Sequence, residues 1–89
     1  MQITKEILEA NGWQIDIPEW CFPTSASLRK DGWLAEWVFG RTSLSIWLCD
    51  SDDEVVDWDY ELYIRNCETT EKLATAFKLC GIDYELKTE

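Results

Sequence analysis

Apolar and acidic residues alternate over residues 56–62, within the stretch VVDWDYELYI of residues 55–64. Successive side chains of a β-strand point to opposite faces of its sheet, so this pattern predicts a half-buried strand, extending over residues 55–65. One face would carry Val56, Trp58, Tyr60, Leu62 and Ile64, and the other Asp57, Asp59 and Glu61. The alternation therefore favours a sheet-containing fold with a row of carboxylates on its outer surface.

The length and the aromatic content bound the core. Eighty-nine residues are enough for one domain, residues 1–89, with a small core. One buried aromatic side chain removes roughly 150–250 Å² from water, so a few of them support a small two-layer fold. We expect four or more of the tryptophans to be mainly in the core and one or two to be mainly at the surface. The six are Trp13, Trp20, Trp33, Trp37, Trp47 and Trp58.

Two segments have the end signals of helices. Thr4 is suited to cap a helix over residues 5–11, with Ile7 and Leu8 facing inward and Gly12 as its end. A second helix is capped by Thr69 or Thr70 and ends at Gly81, and its apolar residues recur at helical spacing. Its inward residues are predicted to be Leu73, Ala76, Phe77 and Cys80.

Strands are predicted between and after the helices. Residues 33–39 and 42–49 form a hairpin, with Leu44, Ile46 and Leu48 on one face of the second strand. Residues 13–27 are irregular apart from a short strand at 14–17, and residues 82–86 form a terminal strand or an extended tail. The predicted fold is a small two-layer α+β domain. It has an antiparallel sheet of three to four strands and two helices, in the order α-β-β-β-α-β.

The charge is unevenly distributed. The net charge is −10, and residues 42–64 hold seven acidic residues and no basic one. A charge of this sign repels phosphates and anionic lipids, which argues against direct binding to nucleic acid or to a membrane surface. No apolar run approaches the roughly 20 residues that cross a bilayer. Basic partners are the natural expectation, and the alternative is that the acids only keep a Trp-rich protein soluble.

The chain lacks the usual residues of a catalytic centre. It contains no histidine, which removes the Ser-His-Asp and Cys-His arrangements and the common general base near neutral pH. Cys67, just before the second helix, is the one cysteine suited to activation by a helix N-terminus, and packing is its alternative role. The acids of residues 57–61 face solvent in the prediction and have no pocket. We therefore predict a protein that is not an enzyme, with no catalytic residue and no cofactor.

One acidic spacing resembles a calcium loop. Asp50, Asp52, Glu54 and Glu61 fall at positions 1, 3, 5 and 12 of an EF-hand count, but Val55 stands where the loop needs glycine. A strand and not a helix is predicted to follow. We assign no metal site, and a weak, non-specific divalent ion in the loop of residues 50–54 stays open as an alternative to a solvated acidic turn.

The cysteines are expected to be reduced. Residues 1–12, MQITKEILEANG, are amphipathic and charged, unlike a secretory signal, so we expect a cytoplasmic protein. The cysteines show no C-x-x-C pair, which leaves packing as small apolar side chains as their favoured role over disulfides. They are Cys21, Cys49, Cys67 and Cys80.

The acidic segment is the candidate functional surface. We predict a non-enzymatic interaction protein that binds a basic surface of a larger protein, with Trp47 as an exposed aromatic anchor. In one form of this hypothesis it is a phage-type inhibitor that mimics nucleic acid and occupies the groove of a nucleic-acid-binding protein. The alternative is a structural, self-associating domain, a homodimer whose acidic strand serves solubility only. The predicted partner-binding residues are Trp47, Asp50, Asp52, Asp53, Glu54, Asp57, Asp59 and Glu61.

The two ends of the chain resemble a known class of proteins. The opening ITKEILEANGW and the closing TTEKLATAFKLCGIDYELK are similar to short uncharacterised accessory proteins of gut-bacterial genomes, phages and mobile elements. The likeness covers about a third of the chain and brings no catalytic or binding residues with it. It implies a small cytoplasmic accessory protein of a bacterium or a phage.

Overall fold

The computed structural model describes residues 1–18, 22–30 and 32–88. Within these residues it has two helices and one five-stranded antiparallel sheet, in which each strand pairs with the next along the chain. The elements are α1 (Lys5–Ala10), β1 (Gln14–Asp16), β2 (Ser25–Lys30), β3 (Trp33–Val38), β4 (Ser43–Leu48), β5 (Leu62–Ile64) and α2 (Thr70–Leu79). The predicted α+β class, the antiparallel sheet and the two helices are confirmed.

The core lies between one face of the sheet and the two helices. Burial alternates along the central strand β3, where Trp33, Ala35 and Trp37 point inward, as the period of a half-buried strand requires. They join one apolar cluster with Leu8 of α1 and Phe77 of α2. The Trp33 and Phe77 rings are 5.0 Å apart at 57°, a tilted contact that aromatic pairs favour. This packing makes the two layers.

Both helices begin and end at the predicted signals. The Thr4 hydroxyl accepts from the backbone N–H of Ile7 at 3.2 Å, and the Thr69 hydroxyl from that of Lys72 at 3.1 Å. Each bond satisfies one of the donors that a helix start leaves unpaired. Gly81 follows α2 with φ +76°, a left-handed conformation that glycine adopts without a steric penalty.

The segment after α2 is an extended tail and not a strand of the sheet. Leu86 is buried there, and the Tyr84 hydroxyl accepts from the Trp13 indole at 2.8 Å. The Asn11 side chain also holds the tail, donating to the carbonyl of Lys87 at 3.0 Å and accepting from its N–H at 2.9 Å. Side-chain bonds thus fix the tail without a strand partner, and the terminal strand of the predicted order is wrong.

The strand count also differs, because β2 is absent from the prediction. Residues 25–30 read SASLRK, with small and polar side chains that have little intrinsic strand preference. Pairing along the whole of β3, from Ser25 opposite Val38 to Lys30 opposite Trp33, overrides that preference. The order in the described residues is therefore α-β-β-β-β-β-α, with five strands instead of three to four.

The long strand predicted over residues 55–65 is wrong except at its end. Only Leu62–Ile64 pairs with β4, and Val55 makes an isolated bridge to Cys49. Residues between them run in turns, and Val56, Trp58 and Tyr60, expected on the buried face, are 66%, 60% and 79% exposed. The alternation is real in the sequence, but it does not produce a buried face there.

The tryptophans divide between core and surface. Trp13, Trp33 and Trp37 are buried, Trp47 is half-buried and Trp58 is exposed, whereas Trp20 lies outside the described residues.

The cysteines follow the packing interpretation where they are described. Cys67 belongs to the core cluster, and Cys49 and Cys80 are half-buried free thiols. Cys21 lies outside the described residues.

Candidate interaction surface

The predicted binding residues Asp50 to Glu61 form one connection between β4 and β5, which we call the acidic loop (residues 50–61). Its first half is shaped by its own acids. A carboxylate oxygen of Asp50 accepts from the backbone N–H groups of Asp52 at 2.9 Å and of Glu54 at 3.1 Å. Such bonds let an aspartate replace a strand partner with a local turn. Asp53 lies at φ +62°, in the left-handed region, and completes the reversal.

The second half of the acidic loop contains a turn of the same kind. The carboxylate of Asp57 accepts from the N–H of Asp59 at 2.9 Å, and the Asp57 carbonyl accepts from the N–H of Tyr60 at 3.1 Å. The backbone therefore turns at the position where the alternation predicts an extended strand. Asp50 and Asp57 have a structural role in the loop besides their charge.

A backbone bond and three side-chain contacts hold the acidic loop to the sheet. The Val56 N–H donates to the carbonyl of Leu48 at 3.0 Å. The Trp47 indole of β4 donates to the carbonyl of Trp58 at 3.2 Å, and the two rings pack edge-on with centroids 5.2 Å apart. The Ser45 hydroxyl, also on β4, donates to the carboxylate of Glu61. The Arg29 guanidinium of β2 donates to the carbonyl of Asp53. The loop is thus ordered against the sheet, and its side-chain anchors come from strands β2 and β4.

The charge of the acidic loop is not neutralised within the described part of the chain. The ion pairs found there join Lys5 to Glu9, Lys72 to Glu68 and the amino terminus to Glu71, all outside the loop. Arg29, the cation that touches the loop, contacts a backbone carbonyl. The loop therefore presents seven carboxylates to solvent or to a partner, four of them without a side-chain hydrogen bond in the described residues. These four are Asp52, Asp53, Glu54 and Asp59.

Large apolar side chains lie between these acids. Val56, Trp58 and Tyr60 are exposed within the loop, and Leu48 and Leu62 are exposed where it leaves and rejoins the sheet. Contiguous exposed apolar groups with a polar rim are a common mark of interaction sites. The sequence prediction missed this half of the surface, because it assigned those side chains to a buried strand face. It also chose Trp47 as the exposed anchor, whereas Trp47 is half-buried and packs edge-on against Trp58, which is the exposed ring.

A cleft of about 370 Å³ opens beside the acidic loop. Its lining combines one buried and one exposed residue of β4 with the end of the loop and the residue that follows α2. The lining residues are Ile46, Leu48, Asp59, Tyr60, Glu61, Leu62 and Cys80. This volume is at the lower end of the range for concave binding sites, so it accommodates side chains and not a folded element.

A second groove of about 400 Å³ lies between β5 and α2. Its charged lining is mixed, with Arg65 and Lys72 beside Glu71, and its apolar lining includes the exposed Leu79. The two grooves differ in charge, since the cleft beside the acidic loop is lined by acids and no base.

The structure gives Cys67 a packing role and not a nucleophilic one. Its side chain is buried, and burial, with a smaller contribution from the Glu68 carboxylate, raises the pKa of the thiol to about 11. A nucleophilic cysteine needs a lowered pKa and access to solvent. Burial also raises the pKa values of the Cys49 and Cys80 thiols.

The described residues also bear on metal binding and on the membrane. No group of three or more Cys, Asp or Glu side chains in residues 1–18, 22–30 and 32–88 is arranged to hold a metal ion, the EF-hand-like set included. Neither helix of the described chain has the length and apolar character to cross a bilayer.

The comparisons with known proteins add no relative. No family model, no curated protein and no solved structure matches this chain.

Proposed function

We propose that this chain is a non-enzymatic interaction protein whose acidic loop binds a basic surface of a larger protein. The observation that carries the proposal is the composition of the exposed loop: carboxylates outside every ion pair of the described residues alternate with Val56, Trp58 and Tyr60. Aromatic side chains are the usual energetic centres of protein interfaces, and complementary charge raises association rates. The loop offers both, on a backbone ordered by its own turns.

The proposal extends to the cellular setting. Free thiols at Cys49, Cys67 and Cys80 support a reducing compartment, and we place the protein in the cytoplasm. A nucleic-acid-binding protein is one partner with the required basic surface. Close mimicry of a phosphate backbone depends on evenly spaced carboxylates, and turns at Asp50 and Asp57 replace the strand that would space them. The hypothesis of a phage-type inhibitor is therefore supported by the charge of the acidic loop and not by the spacing of its carboxylates.

The test is an affinity capture from host lysate with matched charge variants. The first variant, Asp57→Asn with Asp59→Asn and Glu61→Gln, removes three loop charges but keeps an oxygen for each hydrogen bond. The control, Glu6→Gln with Asp83→Asn and Glu85→Gln, removes three exposed charges elsewhere. We expect the wild type and the control to capture the same protein at low salt, and the loop variant and high salt to lose it.

The outcomes separate the versions of the proposal. Displacement of the captured protein by duplex DNA would identify its nucleic-acid groove as the bound surface. Equal capture by both triple variants would show that the placement of the charges does not matter, and would contradict the proposal. Capture of no protein by the wild type at low salt would also contradict it.

A second candidate function, self-association, is favoured by a different observation. The edge strand β5 has only three residues and exposes Leu62 and Tyr63, and Leu79 is exposed across the neighbouring groove. A homodimer through this edge would leave the acids to serve solubility. Because the acidic loops of two copies repel each other, salt would strengthen the homodimer. Binding to a basic partner would instead weaken with salt. Sedimentation velocity at several concentrations and two salt levels decides, and a constant monomer mass excludes the dimer.

A further inference from the structure

Strand β5 is an open edge of the sheet. It is the last strand in the sheet order, and within the described residues it pairs with β4 alone. Leu62 and Tyr63 are exposed on it, and Leu79 of α2 is exposed across the neighbouring groove. The outer side of an edge strand presents N–H and carbonyl groups that are a template for one more strand. An added strand would therefore find both backbone groups and apolar side chains here.

The backbone groups of Tyr63 point away from β4. At the end of β4, the Cys49 N–H donates at 2.8 Å to the carbonyl just before β3, whereas the Leu48 carbonyl accepts from Val56 at 3.0 Å on the other side. Successive residues of a strand bond alternately to its two sides, so the even-numbered residues of β4 bond toward β5. Tyr63 lies opposite Ser45, an odd-numbered residue, and the two form a non-bonded pair. The N–H and the carbonyl of Tyr63 are therefore directed at the open edge.

The sequence around β5 is complementary to itself when two copies run antiparallel. Residues 61–65 read ELYIR, with an acid just before the strand and a base just after it. When Tyr63 lies opposite Tyr63 of a second copy, Glu61 of each copy lies opposite Arg65 of the other. Directly opposite residues have Cβ atoms roughly 4.5–5.5 Å apart, which is within reach of an ion pair between such long side chains. Both side chains are exposed, so the register makes one ion pair at each end of the contact.

The backbone bonds and the charges favour the same register. With Tyr63 on the two-fold axis, its outward N–H and carbonyl exchange two bonds with those of the second Tyr63, as a bonded pair of an antiparallel ladder does. The axis is perpendicular to the sheet, so the helices of both copies lie on one face of a continuous sheet. An exposed Leu79 then lies on each side of the axis. A strand contact of this length is smaller than a standard interface of about 1,600 Å², so the dimer is weak.

We infer that β5 pairs with β5 of a second copy of this chain, with Tyr63 on the two-fold axis and a Glu61–Arg65 ion pair at each end. The opposite edge of the sheet, β1 (Gln14–Asp16), contains an acid and no base, and so it lacks this match to itself. The inference rests on the self-association candidate, to which it gives a defined interface. Binding of a basic partner by the acidic loop does not depend on it.

The test reverses the two charges singly and together, and follows dimerisation by sedimentation equilibrium at one salt concentration. We expect the wild type to dimerise with a dissociation constant of about 0.1–1 mM. Glu61→Lys should weaken the dimer by about fivefold, and so should Arg65→Glu, because each sets like charges opposite each other. The double variant, Glu61→Lys with Arg65→Glu, restores both pairs in reverse and should return to within about twofold of the wild type.

Net charge alone predicts a different result for Glu61→Lys. The exchange of a negative for a positive charge makes the chain less acidic than its net charge of −10, so general repulsion between copies would fall and the dimer would strengthen. The control Asp83→Lys makes the same exchange at an exposed residue outside the edge. We expect it to strengthen the dimer slightly or to leave it within about twofold. Circular dichroism checks the fold of each variant.

A second measurement uses the wild type alone, as a nitrogen-15-labelled chain followed by NMR at rising concentration. The amide signals of residues 61–65 and of Leu79 should shift and approach saturation. Exchange of the Tyr63 N–H with solvent should slow by about twofold or more, because the dimer gives this outward donor a partner. The N–H groups of Leu62 and Ile64 already face β4 and should slow less.

The outcomes distinguish this inference from the proposed function. A dimer that Glu61→Lys strengthens as Asp83→Lys does, or that the double variant fails to restore, would overturn the register and leave self-association in place. Signal shifts confined to residues outside the edge would do the same. A monomer mass at every concentration up to about 1 mM would overturn the inference and the self-association candidate together. Masses beyond a dimer would indicate that β5 joins a different edge, and would also overturn it. The lysate capture decides the binding of a basic partner independently.

Discussion

Trp37 is a buried residue whose indole N–H makes a hydrogen bond within the core. Its side chain is 3% exposed, and its indole N–H donates to the backbone carbonyl of Cys67 at 2.8 Å. Its ring packs edge-on against Phe39 with centroids 4.9 Å apart. The bond joins β3 to the segment that leads into α2, so one side chain couples the sheet to the helix layer.

Replacement of this indole should be costly to stability. Trp37→Phe leaves the Cys67 carbonyl unpaired in the core, which costs about 1–3 kcal/mol, and it also leaves part of the Trp volume empty. We expect the free energy of unfolding to fall by about 2–4 kcal/mol in urea denaturation followed by circular dichroism. Trp58→Phe, at an exposed ring, is the control and should change it by about 0.5 kcal/mol or less. Equal losses in the two variants would contradict the structural role of the Trp37 bond.

At the scale of elements, α2 depends on its cap. The Thr69 hydroxyl accepts from the N–H of Lys72 at the start of the helix, whereas the Thr75 hydroxyl donates to the carbonyl of Glu71 within it. Thr69→Ala should lower the free energy of unfolding by about 1 kcal/mol, because it leaves a helix donor unpaired. Thr75→Ala should leave it unchanged or raise it by about 0.5 kcal/mol, since alanine is the better helix former. Thermal and urea denaturation check both, and a loss from Thr75→Ala as large as that from Thr69→Ala would refute the cap.

The helix ends could be predicted from the sequence, whereas strand β2 could not. Helix ends were predictable, because Thr4, Thr69 and Gly81 act locally through single hydrogen bonds or one dihedral angle. Strand β2 was not predictable from SASLRK, because its stability comes from pairing with a distant partner, β3. Strand formation is decided by neighbours that the local pattern does not contain.

Within the candidate site, the charge of the acidic loop could be predicted from the sequence, but its backbone conformation could not. Its acids were predictable as a charged surface, but alternation cannot tell a paired strand from a turn in which an aspartate bonds its own backbone. The pattern Asp-x-Asp, present at Asp50 and again at Asp57, was the available signal for such turns. The exposed Val56 and Tyr60 depend on the turns, and so they could not be recognised as surface before the backbone was known.

At the scale of the whole molecule, the charge is both large and concentrated. The net charge is −10, and seven of the 18 acidic residues lie in the twelve residues of the acidic loop. The radius of gyration is 12.6 Å. The screening length is roughly 20 Å at about 20 mM NaCl and roughly 4 Å at about 0.5 M. At low salt the loop charges therefore repel one another and the other acids of the protein over distances that approach its own dimensions of 33 × 29 × 22 Å.

Stability should accordingly rise with salt. We expect the melting temperature of the wild type to increase by a few degrees between these two NaCl concentrations, because self-repulsion destabilises a compact, highly charged state. The triple loop variant (Asp57→Asn, Asp59→Asn, Glu61→Gln) should melt higher at low salt and respond less to salt. The control triple (Glu6→Gln, Asp83→Asn, Glu85→Gln) should show a smaller change of both kinds, since its acids are not gathered in the loop. Calorimetry of the three proteins measures this. If both triples rise equally, the total charge and not its concentration in the loop limits stability, and the loop acids then have no special electrostatic cost for a basic partner to relieve.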